Sequence, residues 1–157
     1  MDINEKLVHG LLDINHMMRM LYEGKASQSR ILIILYEHEA MTQKVLTEFL
    51  GIKPGSASEI LAKLERAGLI TRIHSKNDHR TMEISLTDEG KKLAKEAVLR
   101  RRKRHEQMFE CLTEDEQKNL FLLLEKLGAD WKERFSFSDR ELKCNGKKPD
   151  IKKDREN

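Results

Sequence analysis

Cysteine is scarce in this chain of 157 residues: Cys111 and Cys144 are the only two. They are too few and too far apart for a disulfide framework or a CxxC metal site, so reduced thiols are expected. Long apolar runs are also missing. The longest, Ile31 to Tyr36, is far too short to cross a bilayer, and Met1-Asp2 opens the chain without the basic and apolar segments of a signal peptide. A cytoplasmic protein with no membrane partner is expected. Aromatic residues make up 5%, and 38% hydrophobic content stands against 36% charge, which is lean for a lone globular core. A second subunit could supply the missing buried surface. There is no Gly-rich phosphate loop, no GxSxG and no paired catalytic motif, so an enzyme is not expected. His9, His16, His38, His74, His79 and His105 are scattered, without the HxxxH pair or Cys/His cluster of a zinc site. No metal and no cofactor are therefore expected.

What is present is charge, unevenly placed. The net +3 hides a middle stretch, residues 51 to 105, with 14 Lys or Arg against 7 Asp or Glu, followed by residues 106 to 135 with 4 against 8. Counterion release rewards positive charge only where a polyanion approaches, so a phosphate-facing module joined to a separate association surface would show this pattern. A merely well-solvated surface would show it too.

Periodicity places the charge on structure. Ile3, Leu7, Leu11, Ile14, Met18 and Leu21 recur at steps of three and four and predict a helix over about 3–22. Ser27 is suited to cap a second helix, ending near His38, in which Ile31 to Leu35 is apolar on every side and should be fully buried. Thr42 offers an N-cap to a short helix, Gln43 to Phe49, stopped by Gly51, and Pro54 opens another that runs from about Gly55 to Ala67 and stops at Gly68. Together they make a helix-turn-helix candidate. The runs 69–73 and 81–86 are β-capable around the polar segment His74 to Arg80, which predicts a hairpin with a charged tip. Thr87 caps a helix reaching about Leu112, with Gly90 tolerated in its first turn, and Thr113 opens a last helix striped by Leu120, Leu123, Leu124, Leu127, Trp131 and Phe135. From Ser136 the periodicity stops, and a charged, disordered tail over 136–157 is expected.

The blocks Leu50 to Ser58, Leu64 to Arg72, Asp78-His79-Arg80 and Leu86 to Gly90, in this order, resemble the MarR family. The resemblance covers about 85% of the chain, residues 3 to 135. It implies a mainly α fold with a small β-hairpin wing (α+β): one winged helix-turn-helix domain over 1–135, with a DNA-binding lobe over about 27–90 and dimerisation helices over about 3–22 and 93–135. It further implies a homodimeric, repressor-like regulator that binds double-stranded DNA at a pseudo-palindromic operator and responds to a small-molecule effector. The alternative is a helical protein-interaction module whose basic surface docks a protein.

On the family pattern the helix holding Ser56 and Ser58 enters the major groove and the wing reaches the minor groove. The DNA-facing set implied is Gln43, Lys53, Ser56, Ala57, Ser58, Lys63, Arg72, Lys76, Asp78, His79 and Arg80. The chemistry agrees. Ser56 and Ser58 can donate to phosphate or base edges, and Ala57 leaves room for a thymine methyl. Arg80 carries the long planar cation that a narrow minor groove attracts, and Asp78 is placed to orient it. Two residues depart from the family. His79 stands where arginine is usual, and Glu59 puts a carboxylate where a basic or neutral residue is common, so it must accept from cytosine N4 or pair with Lys63.

Other features are less pointed. Arg100 to Arg104 wraps more than one helical turn and reads as a solvated face whose stems cover apolar surface, or as help in binding an anionic effector. His16, Met17 and Met20 are candidates to line an effector pocket, although Met17, Met18 and Met20 at helical spacing also read as plain packing. Some relatives sense oxidants through a first-helix cysteine, which this chain lacks, and Cys111 is expected in an apolar helical setting that leaves it inert.

Overall fold

The computed structural model describes residues 1–22 and 27–137. The expectation of a disordered tail falls, beyond residue 137, outside the described residues, as does Cys144. Six helices and three strands follow in the order α1 (Ile3–Leu21), α2 (Gln28–His38), β1 (Ala40–Thr42), α3 (Gln43–Leu50), α4 (Pro54–Arg66), β2 (Ile70–His74), β3 (Met82–Leu86), α5 (Asp88–Met108) and α6 (Glu114–Arg134). The mainly α fold with a hairpin wing is as the sequence predicts.

Helix starts are set by short polar caps. The side chains of Asp2, Ser27, Thr42, Thr87 and Thr113 each accept from a backbone N–H of the first turn, and Asp2 and Thr113 complete capping boxes with Glu5 and Glu116. Gly51 ends α3 at φ 64°, a left-handed conformation that costs glycine little.

The core belongs to the middle of the chain. Ile31 through Leu35 are all buried, and with Leu46, Leu50, Leu61, Leu64, Ile70, Ile84 and Ala94 they join α2, α3, α4, the sheet and the start of α5. The sheet has the order β1-β3-β2, with β3 antiparallel to both neighbours. The hairpin strands start one residue later than predicted, and β1 is not among the predicted elements. Three residues give too short a pattern to read, and β1 exists only because its backbone pairs with β3, Met41 opposite Ile84.

Gly90 is not merely tolerated. A Cβ at this position would lie 1.9 Å from the carbonyl oxygen of Leu69, so α5 begins in contact with the backbone leading into β2. Thr87 ties the same corner: its N–H donates to the Leu69 carbonyl at 3.1 Å, and its hydroxyl donates to the Gly68 carbonyl at 2.6 Å.

Helix α5 leaves the lobe and ends at Met108, four residues short of the predicted Leu112. Phe109 to Leu112 form a turn whose amides bond to carbonyls three residues back, and its carbonyls at Phe109 and Leu112 both accept from the Gln117 side chain. Neither α1 nor α6 contains a buried residue, and Leu7, Val8, Leu12, Phe121, Leu122 and Leu123 are all more than half exposed.

A polar contact links α5 to the C-cap residue of α1. Tyr22 Oη and His105 Nε2 are 3.1 Å apart with the rings tilted against each other. Burial, then the nearby cations of Arg101 and Arg104, hold the His105 imidazole below its ordinary pKa. Because the folded state binds this proton less readily than the unfolded chain, the contribution is intact above the ordinary imidazole value and is lost as pH falls through the folded value. Acidification from about pH 8 to about pH 5 should therefore lower the Tm of the parent more than that of His105→Gln, measured by calorimetry.

Candidate nucleic-acid interface

The geometry of α3 and α4 sets out a polar surface. Gln43, the first residue of α3, donates from Nε2 to Ser58 Oγ on α4 at 2.9 Å, a bond across the exposed side of the helix pair. On α4, Ala57, Leu61 and Leu64 are buried. At about 100° per residue the opposite face carries Gly55, Glu59, Ala62 and Arg66, flanked by Ser56 and Lys63 on one side and Ser58 on the other. Ser56, Ser58, Lys63 and Arg66 are exposed. Lys53 stands at the cap position and is exposed as well, with no side-chain capping bond.

The wing is the β2–β3 connection. The Ser75 amide donates to the Thr81 carbonyl at 2.7 Å, and Lys76, Asp78, His79 and Arg80 are exposed at the tip. Of the DNA-facing candidates, Lys53, Ser56, Ser58, Lys63, Lys76, Asp78, His79 and Arg80 are exposed, Gln43 and Arg72 are partly buried, and Ala57 is buried.

Ala57 is fully buried beneath α4, so it packs the helix onto the core and has no methyl to offer a thymine. Arg72 is engaged within the lobe: its Nε donates to Glu65 Oε2 at 2.9 Å in a half-buried ion pair that ties β2 to α4. Asp78 does not orient the Arg80 guanidinium. Its carboxylate accepts from the Arg80 backbone amide at 2.9 Å and from the Thr81 hydroxyl at 3.2 Å, so it shapes the turn. The Arg80 guanidinium makes no ion pair among the described residues.

Arg66, absent from the expected set, is exposed in the last turn of α4. Its spacing of seven from Glu59 is the signal that could have found it. Arg100 pairs with Glu96 and Arg102 with Glu106 on the exposed side of α5, whereas Arg101 is partly buried and reaches Glu37 on α2, so the run is only in part a solvated face.

The effector candidates are not gathered into a cavity. His16, Met17 and Met20 are exposed on α1, whereas a groove of about 360 Å³ between α1 and α6 is lined by Val8, Leu11, Leu12, Asn15, Leu124, Leu127, Gly128 and Trp131. Cys111 is exposed in the turn after α5, not set in an apolar helix. Among the described residues no three His, Cys, Asp or Glu side chains are grouped to hold a metal, and no helix is long and apolar enough to cross a membrane.

A helix-turn-helix whose second helix turns a polar face outward, beside a hairpin with an arginine at its tip, defines a winged helix-turn-helix protein of the DNA-binding regulators. Residues 25–82 match the MarR family. An HTH-type transcriptional regulator of Bacillus subtilis, YwhA, is 33% identical over 62% of this chain and 70% of its own. The organic hydroperoxide resistance regulator of the same organism is 42% identical over 43% of this chain and 46% of its own. A mutant MarR from E. coli, solved with operator DNA, shares the fold at a TM-score of 0.62, with 24% identity over 81% of this chain and 99% of that one. NadR, solved with 4-hydroxyphenylacetate, gives a TM-score of 0.56 with 27% identity over 85% of this chain and 94% of that one. The chain belongs to the MarR family and is a DNA-binding transcriptional regulator.

Proposed function

We propose that the protein acts in the cytoplasm as a homodimeric, repressor-like regulator that reads a pseudo-palindromic operator and releases it on binding a small molecule. The observation that carries this is the division of the lobe's surface. The α4 face presents Ser56, Ser58, Lys63 and Arg66 for a major groove, Lys53 stands at its start, and Lys76, His79 and Arg80 extend from the wing for a phosphate or a minor groove. Gln43 acts through Ser58, Asp78 through the turn that carries Arg80, and Arg72 through Glu65. The exposed apolar stripes of α1 and α6 support the dimer. The effector is supported by the ligand-bound NadR, which is 27% identical to this chain.

Fluorescence anisotropy on a selected and a scrambled duplex at several salt concentrations tests the DNA reading. Arg80→Ala should weaken binding to both duplexes by roughly 1 to 3 kcal/mol and flatten the salt slope by about one counterion per half-site. Ser56→Leu should instead abolish the preference for the selected duplex and leave the salt-sensitive nonspecific binding largely in place, since phosphate neutralisation does not need that hydroxyl. An Arg80→Ala protein with unchanged affinity and salt slope would show that the hairpin does not touch DNA.

A further inference from the structure

Glu59 is out of place on a surface built to approach phosphate, and its setting gives it a task. It lies on the outward line of α4, with Gly55 one turn before and Ala62 one turn after. Neither neighbour has a side chain long enough to shield it, and the space beside Gly55 is open to at least 4 Å. Its carboxylate oxygen Oε1 lies 3.1 Å from Lys63 Nζ, while the side chain remains 71% exposed. Lys63 thus offsets the repulsion from phosphate and restrains the carboxylate, and Oε2 has no partner among the described residues.

An ionised carboxylate has only acceptors. In a major groove it meets acceptors on guanine (N7, O6) and at thymine O4, and it finds donors in the N4 amino group of cytosine and the N6 amino group of adenine. Adenine sets its N7 acceptor beside that donor, which repels a carboxylate, so cytosine is the better match. Ser58 Oγ already accepts from Gln43, which leaves its own hydrogen to donate, so adjacent positions of one helix present an acceptor and a donor to the DNA.

We propose that Glu59, steadied by Lys63, is a base-reading residue that selects cytosine at one position of each half-site. This rests on the DNA-binding reading above. The test is selection from a random duplex pool with the full-length parent and with Glu59→Gln, alongside binding to a scrambled duplex. The parent should enrich cytosine at one symmetry-related pair of positions by about tenfold over the other bases. Glutamine both donates and accepts, and it suits adenine N6 and N7, so Glu59→Gln should shift that one position from cytosine to adenine and leave the rest of the motif unchanged. With one negative charge fewer per protomer, it should also bind the scrambled duplex more tightly. A motif identical in parent and variant, with only the scrambled-duplex affinity altered, would reduce Glu59 to a surface charge and overturn the proposal. A parent that enriches no sequence would overturn the sequence-specific reading, and this inference with it.

Discussion

The full chain is expected to sediment at twice its mass of 18.4 kDa, and Leu12→Glu combined with Leu124→Glu is expected to sediment as a monomer that has lost most of its operator affinity. Leu12 on α1 and Leu124 on α6 both line the 360 Å³ groove and are 58% and 48% exposed. A single chain leaves both stripes in water, which a monomer rarely does over so long a surface. Losing a buried leucine costs about 2 to 5 kcal/mol, and a two-fold axis makes each loss twice, before the added cost of burying carboxylates. The monomer should stay folded in its lobe, because the core around Ile31, Leu35, Leu61 and Ile84 takes nothing from α1 or α6. Circular dichroism checks this. Operator binding should fall about 100-fold or more, since the second half-site is then no longer held at high effective concentration. A parent chain that remains monomeric at micromolar concentration would remove the dimer from the proposal.

Gly90→Ala is expected to be the most damaging single-methyl change in the lobe. The new Cβ would stand 1.9 Å from a backbone oxygen and 2.9 Å from the Leu69 carbonyl carbon, and neither can swing aside as a side chain could. Relief requires the first turn of α5 to lift from the entry to β2, which strains the Thr87 bond to the same oxygen and unpacks Leu86 nearby. Overpacking of this kind costs about 3 kcal/mol, which should lower the Tm by roughly 10 °C. Gly55→Ala serves as the control. Its Cβ would enter open space in a helix, so its Tm should stay level or rise slightly. If Gly90→Ala melts with the parent, α5 does not start in contact with Leu69.

Much of the fold was legible because it is written in local chemistry. Ser27, Thr42, Thr87 and Thr113 cap the helices they were expected to cap, since a short side-chain oxygen before an apolar-periodic run has few other uses. The apolar block Ile31 to Leu35 is buried all round, as its lack of a polar face requires. The site was less legible where a residue type serves two purposes. Arginine suits phosphate and carboxylate alike, and only the approach of Glu65, seven positions away in sequence, commits Arg72 to an ion pair. An alanine in a recognition helix can face a groove or the core, and the helix phase set by Leu61 and Leu64 sends Ala57 inward.

By itself, then, the sequence determined the order of elements, the helix boundaries at their capped starts, the central core segment and the family, because periodicity, caps and turn residues act over a few neighbouring positions. The tertiary structure alone decided that β1 exists, that Gly90 has no room for a methyl group, that Arg72 is drawn to Glu65 and that Tyr22 meets His105. Each of these depends on which atoms come within a few ångströms of one another. That proximity is set by the packing of the whole lobe, and no local pattern carries it.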